Sequence, residues 1–220
     1  LCSDPQCQVY SDPRQASASV REAIRVTSGQ VLQQDAQPIQ AWYHATNGGV
    51  SAGANEAWSM DALPYVQARP DGSQAWVSSI ALPLASSENV RTLLDRWEGA
   101  YGAGHPRFRW NRFYSAGQLG QALAAAGQGD ALPTALRVAS RGPSGRVLAL
   151  EIDRDGGAAP VMLRLDAIRR TLRRLPSTLF VIKPDGAGAW RFQGGGFGHG
   201  VGLSQAGAID LAGRGWRAQR

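Results

Sequence analysis

A histidine, a serine and a glutamine lie inside a glycine-rich stretch near the end of the chain, and their side chains could hold a polar ligand. The stretch spans residues 194–208, reads GGGFGHGVGLSQAGA and contains His199, Ser204 and Gln205. Glycine adds no side chain to a core, so this density favours unusual backbone angles or the close approach of another backbone or a ligand. We expect this stretch, called the glycine loop below, to form the wall of a site.

Well-known loop chemistries do not fit the glycine loop. A dinucleotide-binding G-x-G-x-x-G would need glycine at the position of Val201, and no lysine follows as in a phosphate-binding P-loop. A nucleophile elbow G-x-S-x-G around Ser204 would need glycine where the chain has Ala206. The glycine spacing therefore excludes these three classes of site.

Regular elements should hold the glycine loop at both ends. Strand-like runs over 179–184 and 189–193 precede it, and a helix is expected to resume near Ser204. Structural roles remain open for the same residues, because Ser204 or Gln205 could cap that helix and His199 could be a hydrogen-bonded turn histidine.

A second candidate segment lies near the start of the chain. Residues 16–26 have the apolar spacing of a short amphipathic helix, and residues 30–34 and 38–44 alternate as the strands of a hairpin. The second strand leads to His44 and the pair Gly48-Gly49, followed by Trp58. His44 is either a strand-end histidine bonded to backbone or a site residue, and Trp58 could fill the core or stack on a sugar.

The rest of the chain alternates helical and strand patterns. Trp110 lies in a basic and aromatic segment, which fits a strand with one buried face better than a platform for single-stranded nucleic acid. Helices are expected at 88–98, 116–126 and 165–175, and a hairpin at 136–141 and 146–152.

Composition is that of a globular protein. The chain has 220 residues, of which 43% are hydrophobic and 18% charged, with a net charge of +6. Arginine supplies nearly all the positive charge, because Lys183 is the only lysine. Guanidinium groups bind carboxylates and phosphates well, so an anionic polymer is a plausible partner. The chain contains no run of about 18 apolar residues, so the sequence predicts no membrane span.

Both cysteines lie at the start of the chain, where Cys2 and Cys7 flank an Asp-Pro turn. Such a pair could close a small disulfide, which is the favoured interpretation, or remain as free thiols. Metal binding is less favoured, because two thiolates make half of a tetrahedral site and no histidine is near in sequence. We therefore expect no metal and no cofactor.

The glycine loop resembles the signature of the SpoIID/LytB family, G-x-G-F-G-H-G-V-G-M-S-Q-x-G-A, with Leu203 in place of methionine. Further family phrases occur in the same order along the chain. The C-x-x-x-H-C-Q-x-Y phrase is matched by Cys2, Cys7, Gln8 and Tyr10, with Gln6 in place of histidine. The Y-H-x-x-x-G-G phrase is matched at 43–49, with Asn47 where the family often has serine or cysteine. The resemblance runs from Cys2 to Ala208.

The resemblance implies a single SpoIID-like domain over residues 1–220. Its fold would be α+β, mixed, with mainly antiparallel strands and hairpins, short helices, and two lobes around a cleft. SpoIID is a lytic transglycosylase of peptidoglycan glycan strands, and LytB is an enhancer of a cell-wall amidase. The resemblance therefore implies an extracytoplasmic protein that binds these glycans, possible contact with an amidase, and substrate-binding roles for a set of side chains: Gln8, Tyr10, His44, His199, Ser204 and Gln205.

Cleavage of a glycosidic bond needs a carboxylic acid to protonate the leaving oxygen. The family carries that glutamate upstream of the cysteine phrase, so we expect it to precede this chain, which would lack the family's N-terminal segment. Of the glutamates present, Glu56 alone lies near a candidate site segment. Two hypotheses follow: an incomplete transglycosylase domain, or a non-catalytic module that binds glycan or stimulates an amidase. A nucleic-acid binder ranks well below both.

Overall fold

The computed structural model describes residues 12–172 and 175–217. Contacts divide the chain into two compact units, residues 1–40 and 41–220. The second unit contains the glycine loop and the His44 segment. The single domain expected over the whole chain stays a prediction.

Short helices and strands alternate along the described residues. The helices are α1 (Ala18–Val26), α2 (Gln74–Ser79), α3 (Ser87–Leu94), α4 (Ala116–Ala125), α5 (Asp166–Thr171) and α6 (Gln205–Gly213). The strands are β1 (Gln33–Gln34), β2 (Gln37–Pro38), β3 (Tyr43–His44), β4 (Val50–Ser51), β5 (Arg69–Pro70), β6 (Arg109–Ser115), β7 (Pro133–Arg141), β8 (Val147–Arg154), β9 (Val161–Arg164), β10 (Phe180–Pro184), β11 (Ala189–Gly195) and β12 (Leu203–Ser204). Single 3₁₀ turns occupy Pro13–Gln15 and Ala54–Glu56.

Two antiparallel sheets organise the second unit. One has the strand order β10-β11-β6 and the other β7-β8-β9. The predicted α+β class, with antiparallel strands, hairpins and short helices, is confirmed. The hairpin expected around residues 142–145 is the β7–β8 connection.

Serine caps begin several helices where the sequence predicts a helix start. Ser86 accepts from the backbone N–H of Asn89 at the start of α3, and Ser115 accepts from that of Gln118 at the start of α4. A serine oxygen in this position satisfies one of the N–H groups that a first helical turn leaves unpaired. Both helices bury one apolar face, which for α3 is Val90, Leu93 and Leu94.

The hairpin expected at 30–34 and 38–44 is much shorter than predicted. Its strands are β1 and β2, joined by Asp35 and Ala36, which both have positive φ. Two left-handed residues make a tight hairpin turn. Tyr43 and His44 do not extend this hairpin. They form β3, which pairs in parallel with β12 in the second unit.

Three apolar clusters form the core of the second unit. The largest joins both sheets with α4 and α5, and includes Trp110, Phe180 and Phe192. A second gathers around α3 and Trp76. The third, around Ala52, Ala54, Ala57, Val66 and Val201, packs against the half-buried rings of Trp42 and Trp58. This third cluster lies beneath the glycine loop, since Val201 belongs to that loop.

Candidate functional site

The glycine loop leaves β11 and packs directly on the segment that carries His44. Phe197 exchanges backbone hydrogen bonds with Thr46, and Leu203 N donates to Trp42 O. At Gly198, φ is +110°, and a Cβ atom there would lie 2.9 Å from the Cβ of His44. Positive φ and the close approach of another segment both explain glycine at this position, in agreement with the two expectations from the sequence.

The loop brings two of the predicted site residues together. The rings of His44 and His199 lie 5.6 Å apart, edge to face. His199 also packs on Trp58 at 4.8 Å, and Trp58 stacks on Trp42 at 5.5 Å. We call these four residues, Trp42, His44, Trp58 and His199, the histidine–tryptophan cluster.

Hydrogen bonds fix the tautomer of each histidine. His44 Nδ1 donates to the carbonyl of Val201 at 3.0 Å, so its Nδ1 carries the proton. His199 Nδ1 instead accepts from the backbone N–H of Val201, also at 3.0 Å, so its proton lies on Nε2. The backbone of Val201 thus holds both rings, with its carbonyl accepting from His44 and its N–H donating to His199.

Both histidines are neutral at physiological pH. Burial lowers the pKa of His44 to about 3. Burial also lowers the pKa of His199 to about 4, helped by the nearby positive charge of Arg169 and opposed by Asp166. The donor of His44 is used by Val201 O, and His199 forms backbone hydrogen bonds with both Val201 and Tyr43, so the two rings are fixed in place as uncharged groups.

The cluster has an inner and an outer part. His44 is 4% exposed, and among the described residues its Nε2 has no hydrogen-bond partner. His199, Trp58 and Trp42 are half-buried and can touch a ligand from solvent. His44 is therefore the buried member of the cluster, and the other three residues have exposed surface.

The carboxylate of Glu56, the glutamate nearest to the cluster in sequence, is enclosed. Its Oε1 accepts from the backbone N–H of Gly53, and its Oε2 accepts from both the N–H and the hydroxyl of Ser144, the latter at 2.6 Å. Glu56 is 2% exposed. Its oxygens hold the β7–β8 turn against the Ala54–Glu56 turn and have no access to a substrate.

A buried arginine supports the loop from below. Arg146 is fully buried and donates to the carbonyls of Val50 and Asn47. Burial lowers its pKa to about 10, while the charge of Glu56 raises it. Gly200 lies so close that a Cβ on it would overlap the guanidinium group. Arg146 and Glu56 are thus part of the scaffold of the loop.

A cleft of about 650 Å³ opens where the glycine loop joins α6. Among its lining residues are Asn47, Arg69, Asp71, Ser204 and Trp216. We call it the Asp71 cleft, since Asp71 is the carboxyl group on its wall. A second pocket of about 560 Å³ lies along another face of α6, near Trp97, His105 and Asp210.

Ser204 and Gln205 have different environments from the histidines. Ser204 is buried, and its hydroxyl accepts from Gly207 N at 3.3 Å, so it caps α6 while lining the Asp71 cleft. Gln205 is exposed at the start of α6. The capping alternative for Ser204 is thus realised. Gln8, Tyr10, Cys2 and Cys7 lie outside the described residues.

Sequence reasoning did not assign Trp42, Arg146 or Asp71 to the site. Trp42 directly precedes the Tyr43-His44 phrase, and this proximity was the available signal. Arg146 was noted as part of the turn at 142–146, but its role was not, because a fully buried arginine cannot be distinguished by pattern from the many exposed ones. Asp71 lies in a stretch that reads as an ordinary Pro-Asp-Gly turn.

Within residues 12–172 and 175–217, no group of three or more His, Cys, Asp or Glu side chains is arranged to hold a metal ion. The helices in these same ranges are all too short or too polar to cross a bilayer.

Comparison with curated proteins finds no match to this chain. Comparison with protein families matches residues 52–202 to a domain of unknown function, DUF8618. The matched range covers more than half of the chain and includes Glu56, Asp71, Arg146 and His199. The chain therefore belongs to the DUF8618 family.

Proposed function

We propose that this domain binds the glycan strands of peptidoglycan at the histidine–tryptophan cluster. The observation that carries the proposal is the packing of His199 on Trp58, which in turn stacks on Trp42, by a glycine loop that resembles the SpoIID signature. The rings are half-buried, so their faces are accessible for stacking on a sugar.

The chemistry of the cluster suits a sugar better than an ion. Half-buried indole rings offer broad apolar faces on which the C–H face of a pyranose can lie. The ring of His199 already forms backbone hydrogen bonds with Val201 and Tyr43, so it offers an oriented ring, and its low pKa keeps that ring uncharged across the physiological range. Binding by stacking on uncharged rings fits a polymer of pyranose units.

Two versions of the function share this binding step. In the first, the domain takes part in SpoIID-like transglycosylase cleavage, with the acid supplied by a glutamate upstream of Cys2. In the second, it is a non-catalytic glycan-binding module or an enhancer of a cell-wall amidase. The enclosure of Glu56 excludes that residue as the acid of the first version, and the binding step is the same in both versions. Either version implies an extracytoplasmic location.

Co-sedimentation with insoluble, peptide-free wall glycan tests the proposal. We expect the wild-type chain to sediment with the glycan, and His199→Ala and Trp58→Ala to weaken binding about tenfold or more, which corresponds to about 1.4 kcal/mol. Trp97→Ala is the matched control, because Trp97 is an exposed tryptophan (52%) outside the cluster.

Circular dichroism and thermal unfolding would verify that each variant is folded. Loss of binding by folded His199→Ala and Trp58→Ala, with binding retained by Trp97→Ala, supports the proposal. Equal binding by all four proteins would place the glycan contact elsewhere, and absence of wild-type binding would refute the proposed function.

A further inference from the structure

An arginine guanidinium lies over a phenylalanine ring of the glycine loop. The Cζ atom of Arg107 is 4.1 Å from the centroid of the Phe197 ring. A guanidinium within about 6 Å of an aromatic centroid is attracted by the negative face of the ring. Stacking occupies the flat face of the group and leaves the N–H donors at its edge for other partners. Arg107 is exposed, so solvent or a ligand can reach these donors.

Other arginines that lie over rings have further partners. The guanidinium groups of Arg191 and Arg214 each form an ion pair with an aspartate. That of Arg109 donates to backbone carbonyls at the end of α3. Within residues 12–172 and 175–217, the Arg107 guanidinium forms no ion pair and no hydrogen bond. Its charge and its donors thus remain for a ligand.

The backbone around Arg107 is fixed against the glycine loop. Phe108 N donates to His105 O at 2.8 Å, and Arg107 N donates to Nδ1 of His105 at 3.0 Å, which closes a turn. Gly196 N then donates to Phe108 O at 3.2 Å, so the turn is bonded to the residue that precedes Phe197. Phe108 itself is 2% exposed. The guanidinium is therefore positioned by its backbone as well as by the ring.

Phe197 connects this arginine to the histidine–tryptophan cluster. The N–H of Phe197 donates to Thr46 O at 2.8 Å, and its carbonyl accepts from Thr46 N at 3.2 Å. Thr46 follows His44 by two residues, and Phe197 precedes His199 by two residues. Two residues span at most about 7 Å of backbone, which is shorter than one disaccharide repeat of a glycan. A glycan bound at the cluster can therefore extend to the Phe197 ring and to the guanidinium over it.

The ligand group that this guanidinium fits is a carboxylate. The planar fork of donors on arginine matches the two oxygens of a carboxylate. Wall glycan carries carboxylates in two places: on the lactyl group of a muramic residue without a peptide, and on the acidic groups of attached peptides.

We propose that Arg107, stacked on Phe197, binds one of these carboxylates while the sugar lies on the histidine–tryptophan cluster, an inference that rests on the proposed glycan binding. The uncharged rings of the cluster then hold the sugar, and Arg107 distinguishes charged from uncharged glycan. Arg107 is thus a specificity residue for the same site.

Soluble glycan fragments with and without charged carboxylates test this inference. Native fragments are compared with fragments whose carboxylates are converted to neutral methylamides, and affinity is measured by calorimetry. We expect Arg107→Gln to weaken binding of native fragments by about three- to tenfold, the range of one charge-assisted pair at an exposed site, and to leave binding of the methylamides unchanged. Salt should weaken binding of native fragments more in the wild type than in Arg107→Gln.

Arg191→Gln is the matched control. It removes an equal charge from another exposed arginine that lies over a ring, and it should leave both affinities unchanged. Fragments with and without stem peptides separate the two sources of the carboxylate. A loss confined to peptide-free fragments assigns the lactyl group, and a loss confined to peptide-bearing fragments assigns the peptide.

Three results would overturn the inference. Equal affinity of wild type and Arg107→Gln for all native fragments contradicts it and leaves the proposed glycan binding intact. An equal loss for native and methylamidated fragments also contradicts it, because Arg107 would then act through packing and not through charge. A wild-type chain that binds neither form refutes the proposed function and this inference together.

Discussion

Glu56 and Asp71 are both carboxyl groups close to the glycine loop, yet their surroundings differ. Glu56 accepts three hydrogen bonds from Gly53 and Ser144 and has no exposed surface to offer. Asp71 accepts one, from Asn47, and lines a cleft. The contrast separates a carboxyl group that is enclosed by the scaffold from one that lines a cleft.

The difference in hydrogen bonding also indicates which of the two carboxyl groups has an oxygen that could accept from a ligand. A carboxylate whose oxygens are fully bonded can accept nothing more, and removing it leaves its donors unpaired. A carboxyl group with one free oxygen loses little when it is replaced by an amide. Replacement should therefore lower stability much more at Glu56 than at Asp71.

The largest effect on stability is expected at Glu56. Glu56→Ala leaves the N–H groups of Gly53 and Ser144 without their acceptor and removes the charge that compensates buried Arg146. We expect a loss of about 3–5 kcal/mol in the free energy of unfolding, measured by urea denaturation. Asp71→Asn in the same assay should change it by less than about 1 kcal/mol. Equal losses in the free energy of unfolding at Glu56 and Asp71 would show that both carboxyl groups support the fold to the same extent.

Packing of the glycine loop over Arg146 gives the next largest effect. Gly200→Ala places a Cβ against the guanidinium group at a residue with φ of +82°, so both overlap and backbone strain oppose it. We expect a loss of about 2–4 kcal/mol from these two terms together. Gly186→Ala is the control, because Gly186 has a φ of +81° with no atom near its Cβ. Gly186→Ala should lower the free energy of unfolding by about 1 kcal/mol, from backbone strain alone. Thermal unfolding of both variants would therefore separate the effect of overlap with Arg146 from the effect of strain.

Because its two cluster histidines are buried, the protein should become less stable in acid. Their pKa values, about 3 for His44 and about 4 for His199, lie below the unfolded value of about 6.5. The unfolded chain therefore binds more protons between these limits, and stability is fully present above pH 6.5 and falls as pH drops towards 4. Each titrating histidine contributes up to about 1.4 kcal/mol per pH unit.

Urea denaturation as a function of pH measures this slope. His199→Gln should reduce it, while Asp71→Asn should not, because a raised carboxyl pKa makes its contribution disappear as pH rises and not as it falls. A slope unchanged by His199→Gln would contradict burial of that ring in its neutral form.

The smallest effect concerns Asp71 at neutral pH. Since burial disfavours its charged form, Asp71→Asn should slightly increase the free energy of unfolding, by about 0.5 kcal/mol. Asp61→Asn, which is exposed, should leave it unchanged. A clear loss of stability in Asp71→Asn would indicate that this carboxylate belongs to the scaffold, as Glu56 does.

Much of the fold follows from local sequence. Apolar spacing predicts α1 and α3, and the Gly-Pro-Ser-Gly turn predicts the β7–β8 hairpin. The parallel pairing of β3 with β12 could not be predicted, because Tyr43 and Leu203 are far apart in sequence and each strand is two residues long. Propensity carries no information on such a contact.

The site could also be predicted only where it depends on local sequence. Glycine density and residue types identify the loop and His199, but the contact of His199 with Trp58 depends on tertiary packing. Whether a carboxyl group is enclosed, as at Glu56, or open, as at Asp71, depends on donors from distant segments such as Ser144. A single sequence does not contain that information in any local pattern.

The central claim is that glycan binds at the histidine–tryptophan cluster, and an NMR titration with soluble peptide-free glycan fragments tests it most directly. The indole N–H signals of the tryptophans report separate regions. We predict saturable shifts for Trp42 and Trp58, with Trp76 and Trp110 unchanged, because their indole groups are buried and bonded to the carbonyls of Gly49 and Gly196. Absence of shifts at Trp42 and Trp58, or shifts confined to the exposed Trp97, would contradict the account.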